Sequence, residues 1–493
     1  MVKVSFSSFR DLHRKQTLDS RNRTSFFSND FRPSRNFFIK KTSFGSLLYM
    51  IWFLLSGTYL YGSLYRAPER YHNLRVLAVD YDGGVIGESL KVAYRQLEGP
   101  SFFHLDFQSP EEYPTEEDMY HAVWEGRFWG AISATRGASD RLSTALQNSN
   151  AASSYRPQDA LHYVWNQQYY PAYAASVIQA GMEKLIIETQ NAYAQLNGTS
   201  AFQLTDSSSR ACILALLHPI SGTSRDVKYA GNGTSVLLNT IATIIPVLSQ
   251  FFFLLVLNGV TVVTKLYPHC TPNSSYLIRR LFGLLYAFGS ALAQTGYTWY
   301  YSEAWSVNGA QFMLTWMTFW LLMLAHQVFL ETFSSLADVR AMPFVVLLWL
   351  FMNISSTLSP LEIQPAFFKW SICLPGHNAH SLLVTIFTGG ADNEVYRALP
   401  ILFAWLVAGL LTTYAAHLKV CHDAFMNVRS EELKPRFGKD EEEGREKEDV
   451  PMSQETTMSR SEVDLTRRAR REAEEENEEL RRFTREEANV SDV

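Results

Sequence analysis

Two aspartates stand at the end of an apolar run: residues 74–79 lead directly into Asp80-Tyr81-Asp82-Gly83-Gly84. Carboxylates at the carboxyl end of a strand can hold Mg²⁺ or Mn²⁺ for phosphoryl or glycosyl transfer. The same residues also orient a tight turn and cap the helix that follows, and this structural role is the expected one. A second arrangement, Cys373, His377 and His380, has the C-x3-H-x2-H spacing that can bring three ligands to a metal. Pro375 and Gly376 between them mark a turn, with Asn378 and His380 opening a helix that runs to Phe387. No metal and no cofactor is expected there. The sequence contains no GxxxxGK[ST] loop to cradle a nucleotide's phosphates, and no enzymatic activity is expected of it.

The remaining polar residues of interest lie inside apolar stretches. Six stretches, 44–65, 235–257, 281–301, 310–330, 342–358 and 399–418, are long, apolar and free of Asp, Glu, Lys and Arg. Each is read as a transmembrane helix, because hydrocarbon leaves backbone polar groups unsatisfied unless the segment closes its own hydrogen bonds. Within them sit Asn239, Ser249, Gln250, Gln294, His326, Gln327 and Asn353, with Pro246 interrupting the second. Two readings stay open: helix packing through interhelical hydrogen bonds, or a neutral polar path for a lipid or an amphipathic drug. The lack of intramembrane carboxylates disfavours proton exchange.

A chain of 493 residues with 47% hydrophobic and 14% aromatic residues but a mean hydropathy of only -0.09 must be divided between greasy and charged parts. The net charge of -5 gives no electrostatic reason to expect a nucleic-acid partner. The division is as follows: a basic, aromatic cytoplasmic arm (1–43), an anchor (44–65), an extracytoplasmic α/β domain (66–234), five further helices (235–418) and a charged, mostly disordered cytoplasmic tail (419–493). Ten Lys or Arg in residues 1–42 hold the N-terminus in the cytoplasm, and six crossings return the C-terminus there. Lys265, Arg279, Arg280 and Arg340 fall on inner loops in this scheme; Lys369 and Arg397 fall on outer ones. The arm's Phe26, Phe27, Phe31, Phe37 and Phe38, interleaved with basic residues, suit an anionic lipid surface.

In the domain at 66–234, strands are expected at 74–79, 102–107, 128–134 and 211–217. Helices are expected at 85–97, at 115–125 with Thr115 as N-cap, at 140–147 and at 171–196. Asn197 and Asn232 head glycosylation sequons there. Cys212 and Cys373 share the oxidising side, where a disulfide between them is the alternative to two separately buried thiols.

The order of parts, with Val79-Asp80-Tyr81-Asp82-Gly83-Gly84 and Gly87 after the anchor, Trp124-Glu125-Gly126 and Trp129-Gly130-Ala131-Ile132 later, and Leu374-Pro375 with Asn378 before the last span, resembles the fungal nitrosoguanidine-resistance membrane proteins. These are relatives of type-2 ABC exporter permeases and bacterial phage-infection proteins. The resemblance covers about residues 40–420 and implies a multipass protein connected with tolerance to toxic compounds and with lipid distribution. It implies no catalytic residues. The expectation is a protein that exports, or helps to export or redistribute, amphipathic compounds or lipids, alone as a homo-oligomer or with a separate ATPase subunit. The alternatives are a non-transporting scaffold or regulator and, less favoured, a metal-dependent lumenal transferase using Asp80 and Asp82. Without an HDEL-type ending, the plasma membrane is expected over the endoplasmic reticulum.

Overall fold

The computed structural model describes residues 26–446, apart from residue 30, residues 229–237 and 302–306, and residue 338. The arm over residues 1–25, the Asn232 sequon and the tail beyond 446 lie outside the described residues. Val76, Leu77, Ala78 and Val79 are fully buried and form strand β1 (Arg75–Asp80). Gly83, at φ +60°, then turns the chain into helix α1 (Val85–Leu97), whose buried Ile86, Leu90, Ala93 and Tyr94 recur at helical spacing. Strand β2 (His104–Gln108), helix α2 (Glu116–Trp124) and strand β3 (Gly130–Ala134) follow. Thr115 and Asp118 close a capping box at the start of α2. Helix α3 (Ala138–Gln147) and strand β4 (Leu161–Trp165) come next.

A π-helical stretch, Ala174–Gln179, then opens into the long helix α4 (Ala180–Leu204), which packs against α1. The expected strand at 211–217 is instead helix α5 (Arg210–Leu217). Its eight-residue apolar run carries no period that separates strand from buried helix, and Ser209 Oγ accepts from Cys212 N to cap it. The sheet is completed by β4 and by strand β5 (Gly222–Asp226) in the order β2-β1-β3-β4-β5. All pairs are parallel except β3 with β4.

The helical half begins with α0 (Arg32–Ser63), which precedes the sheet in the chain. Its Trp52 Nε1 donates to Phe344 O at 2.9 Å and its Tyr49 stacks on Phe344. After the sheet come α6 (Leu238–Val263, interrupted by Pro246), α7 (Pro272–Tyr300), α8 (Gly309–Leu336), α9 (Met342–Leu358), α10 (Pro375–Thr388) and α11 (Val395–Glu446). Among the described residues four stretches, Arg32–Asn73, Leu238–Val263, Gly309–Leu336 and Val395–Val428, are long and apolar enough to cross a bilayer, which fits an integral membrane protein. At 17 residues, α9 rises only about 26 Å against a hydrocarbon core of about 30 Å. Helix α7 is long, but Arg279 and Arg280 lie within it.

That placement corrects the expectation of inner-loop arginines and of a bundle free of charge. Both guanidiniums pair with Glu331, which lies one residue past the expected fourth span and inside α8. The helices continue beyond their apolar segments, and cross-helix pairing lets the extra turns carry charge. Residues 419–446 likewise continue α11 as helix. Among the described residues, those from Met426 onward belong to a separate unit.

Candidate functional site

Several residues singled out in the sequence converge where the sheet domain meets the bundle. Trp124 ends α2, and its carbonyl accepts from Asp392 N at 2.8 Å across to the loop between α10 and α11. Gly126 has φ +76°, and a Cβ there would sit 2.2 Å from Asp392 Oδ1. Only glycine fits both the left-handed backbone and the approaching carboxylate. Gly390 lies beneath the Trp124 ring, 3.3 Å from where its own Cβ would be. Trp129 packs on Tyr169 with ring centroids 4.5 Å apart, and Tyr170 packs on His380 at 5.0 Å.

Pro375 and Asn378 build the start of α10, which carries His377 and His380 to this junction. Pro375 occupies the first helical turn. Asn378 Nδ2 donates to Ile372 O and Leu374 O, each at 2.8 Å, tying the preceding segment to the helix. Thirteen of the helix's residues are buried, so its polar groups need internal partners. His377 Nδ1 donates to Ser356 O at 3.0 Å.

A cavity of about 260 Å³ opens here, lined among others by Tyr169, Tyr170, Glu362, His377, Glu394 and Arg397. Arg397 pairs with Glu394, and its Nη2 lies 3.4 Å from His377 Nε2. Behind it Asp392, in the left-handed region at φ +47°, is 8% exposed, and its Oδ2 has no hydrogen-bond partner. Burial, reinforced by the charges of Glu394 and Glu362, pushes its carboxyl pKa up to about 7. Burial also raises that of Glu362.

A larger apolar groove of about 670 Å³ runs among α7, α8, α10 and α11, with Leu314, Trp320, Leu321, Leu382 and Phe403 on its walls and Gln311 as a polar fixture. Thr385 links it to the junction: it lines the groove, while its Oγ1 donates to Asp392 O at 3.0 Å.

The intramembrane polar residues identified from sequence lie elsewhere. Asn239, Gln250, Gln294, His326, Gln327 and Asn353 are all buried, and none lines the groove. Asn239 Nδ2 donates to Thr357 O at 3.2 Å, and Asn353 Oδ1 accepts from Gly376 N at 2.9 Å. Trp349 Nε1 donates to His326 Nδ1 at 3.0 Å. Gln327 fills the space left by Gly283, where a Cβ would lie 1.7 Å from Nε2. Among the described residues, the amide of Gln250 and the Oε1 of Gln294 have no hydrogen-bond partner.

The acidic turn is saturated. Asp80 Oδ1 accepts from Gly83 N, Asp80 Oδ2 pairs with Lys91, and Asp82 accepts from the backbone N and Oγ of Ser139. Gly84 packs against Ser139, and Gly87 makes room for the Asp80 carboxylate. Cys212 and Cys373 are free thiols, the first buried in the sheet domain and the second exposed before α10, so the disulfide alternative is not realised. Among the described residues no group of three ligands could hold a metal, and Cys373 is not brought together with His377 and His380. Asn197 lies on α4, its Nδ2 donating to Tyr193 Oη. Sequence reasoning missed Asp392, Glu362, Tyr169 and Tyr170; the one signal was Gly389-Gly390 ahead of Asp392 in a chain with few paired glycines.

Long apolar helices beside a five-stranded sheet domain fit an integral membrane protein that carries an α/β domain. Residues 46–411, most of the chain, match the family described as "Protein of unknown function (DUF3533)", and the chain belongs to that family. No solved structure matches it.

Proposed function

We propose that this protein takes amphipathic molecules or lipids from the bilayer into the groove beside α10 and exports or redistributes them, contributing to tolerance of toxic amphiphiles. The observation that carries this reading is the groove itself: an apolar trough of about 670 Å³ in which Thr385, one of its few polar lining residues, is bonded to the junction loop. Such a site suits a ligand with an apolar body and a small polar head. The resemblance to nitrosoguanidine-resistance proteins supports the same class of cargo. In this reading six helices cross the plasma membrane, with α7 and α9 completed by packing against their neighbours. The sheet domain is extracytoplasmic and both termini are cytoplasmic. Energy comes from a separate ATPase subunit, since the sequence has no phosphate-cradling loop.

A photoactivatable alkyl amphiphile added to the purified chain in proteoliposomes tests the proposal. Crosslinks should map to Leu314, Leu321 and Leu382, and Leu314→Trp, at a position 55% exposed, should abolish them without unfolding the protein. Labelling spread evenly over the lipid-facing helices, or unchanged in the variant, would sink it. Flux of a fluorescent amphiphile that appears only when copurifying ATPase is added would identify the energy source.

A further inference from the structure

The bundle holds a second charged cluster, built on α7 and α8. Arg279 and Glu331 are each 2% exposed and Arg280 is 14% exposed. Arg279 Nε donates to Glu331 Oε1 at 3.1 Å, Nη1 to Thr261 Oγ1 at 2.6 Å and Nη2 to Asn258 Oδ1 at 2.8 Å. Arg280 pairs with the second oxygen of the same carboxylate. Two cations therefore share one anion, and among the described residues neither guanidinium is paired with another acid. An excess charge held away from water is costly, and the cost falls when an anion joins it.

Asn258 shows where such an anion would come from. The residue that accepts from Arg279 also lines an apolar groove of about 420 Å³, together with Phe251, Leu255, Val262 and Met342. Ser334, whose Oγ donates to Glu331 O, lines the same groove. An apolar wall thus ends at the neutral Asn258 and Ser334, and the cluster bonded behind them carries one positive charge in excess. A free phosphate would answer the charge and leave the wall bare. A zwitterionic lipid would cover the wall but bring its own cation. We propose that this is a binding site for an anionic glycerophospholipid, one acyl chain lying along the groove and the phosphate held at its Asn258 end by the field of Arg279 and Arg280. The site is independent of the groove beside α10.

Two variants separate the parts of this site. Arg280→Gln leaves the Arg279–Glu331 pair intact and makes the cluster neutral. Gly259→Trp fills the groove, since Gly259 lines it and a Cβ there meets nothing within 4 Å, while the charges stay in place. The full chain is placed in nanodiscs containing equal phosphatidylcholine and phosphatidylserine, released, and weighed by native mass spectrometry with its retained lipids. Wild-type protein should retain phosphatidylserine over phosphatidylcholine by on the order of fivefold, the preference expected for one uncompensated basic charge. Arg280→Gln should remove the preference, and Gly259→Trp should remove the retained lipid. Equal retention of both lipids by the wild type, or a phosphatidylserine preference unchanged in either variant, overturns the proposal. So does phosphatidylserine that Gly259→Trp still retains and that water-soluble glycerol phosphate displaces, since the acyl chain would then contribute nothing.

Discussion

The turn at Asp80 and Asp82 and the loop at Asp392 each hold a carboxylate against a glycine, yet they are chemically unlike. In the turn, Asp80 is answered by Gly83 N and Lys91, and Asp82 by Ser139. In the loop, Asp392 is buried, with Oδ2 unpartnered, against a domain that is not its own. A conspicuous pair of acids is thus a structural fastener, whereas a single acid in an undistinguished loop retains unspent electrostatic potential. Reactivity follows the groups that the fold leaves unanswered, more than the density of acidic residues in the sequence.

The sharpest way to break the contrast is Gly126→Val. A β-branched residue at φ +76° with its Cβ 2.2 Å from Asp392 Oδ1 should cost about 3 kcal/mol or more. Limited proteolysis should then find the sheet domain released from the bundle; an unchanged digestion pattern would show that the two halves do not depend on this contact.

Titration sharpens it next. The folded-state pKa of Asp392, about 7, exceeds the value of about 4 for an exposed aspartate. The folded protein therefore keeps a proton that the unfolded chain gives up between those values. Stability from this group is full below about pH 4, falls as pH rises toward 7 and is level above that. Thermal melting in detergent at several pH values should show this decline in the wild type and a flatter profile in Asp392→Asn. Identical profiles would remove Asp392 from the account.

Smaller effects are expected at the turn. Asp82→Ala strips both acceptors from Ser139 at the start of α3 and should cost about 1 kcal/mol. Asp80→Asn loses the pairing with Lys91, which is 45% exposed, and should cost about 0.5 kcal/mol. Either variant abolishing amphiphile flux in a normally folded protein would restore a chemical role to the turn.

What the sequence made legible was local. The β1-turn-α1 unit, the Thr115 cap and the long apolar helices follow from periodicity, capping residues and length. Strand β5, Gly-Thr-Ser-Arg-Asp, has no apolar alternation and exists because β4 offers it a partner. The Arg279, Arg280 and Glu331 cluster was hidden because a window along one helix sees its charges without the acid on the neighbouring helix that pairs with them. The junction was partly visible: Trp124, Gly126, Trp129, Pro375 and Asn378 were singled out, but only the tertiary fold shows that Asp392 fills the space at Gly126 and that Tyr170 meets His380.

The π-helical stretch at Ala174–Gln179 has a mechanical consequence. It joins the tyrosines packed on the bundle to α4, a rod of 25 residues that extends about 38 Å at 1.5 Å per residue. Met182, Leu185, Ile186, Ala192, Tyr193 and Ala201 bury α4 in the core of the sheet domain, so a tilt of about 5° at its base would carry its tip, and the domain with it, roughly 3 Å. Small adjustments beneath Tyr170 would therefore be felt as larger displacements at the far end of the domain.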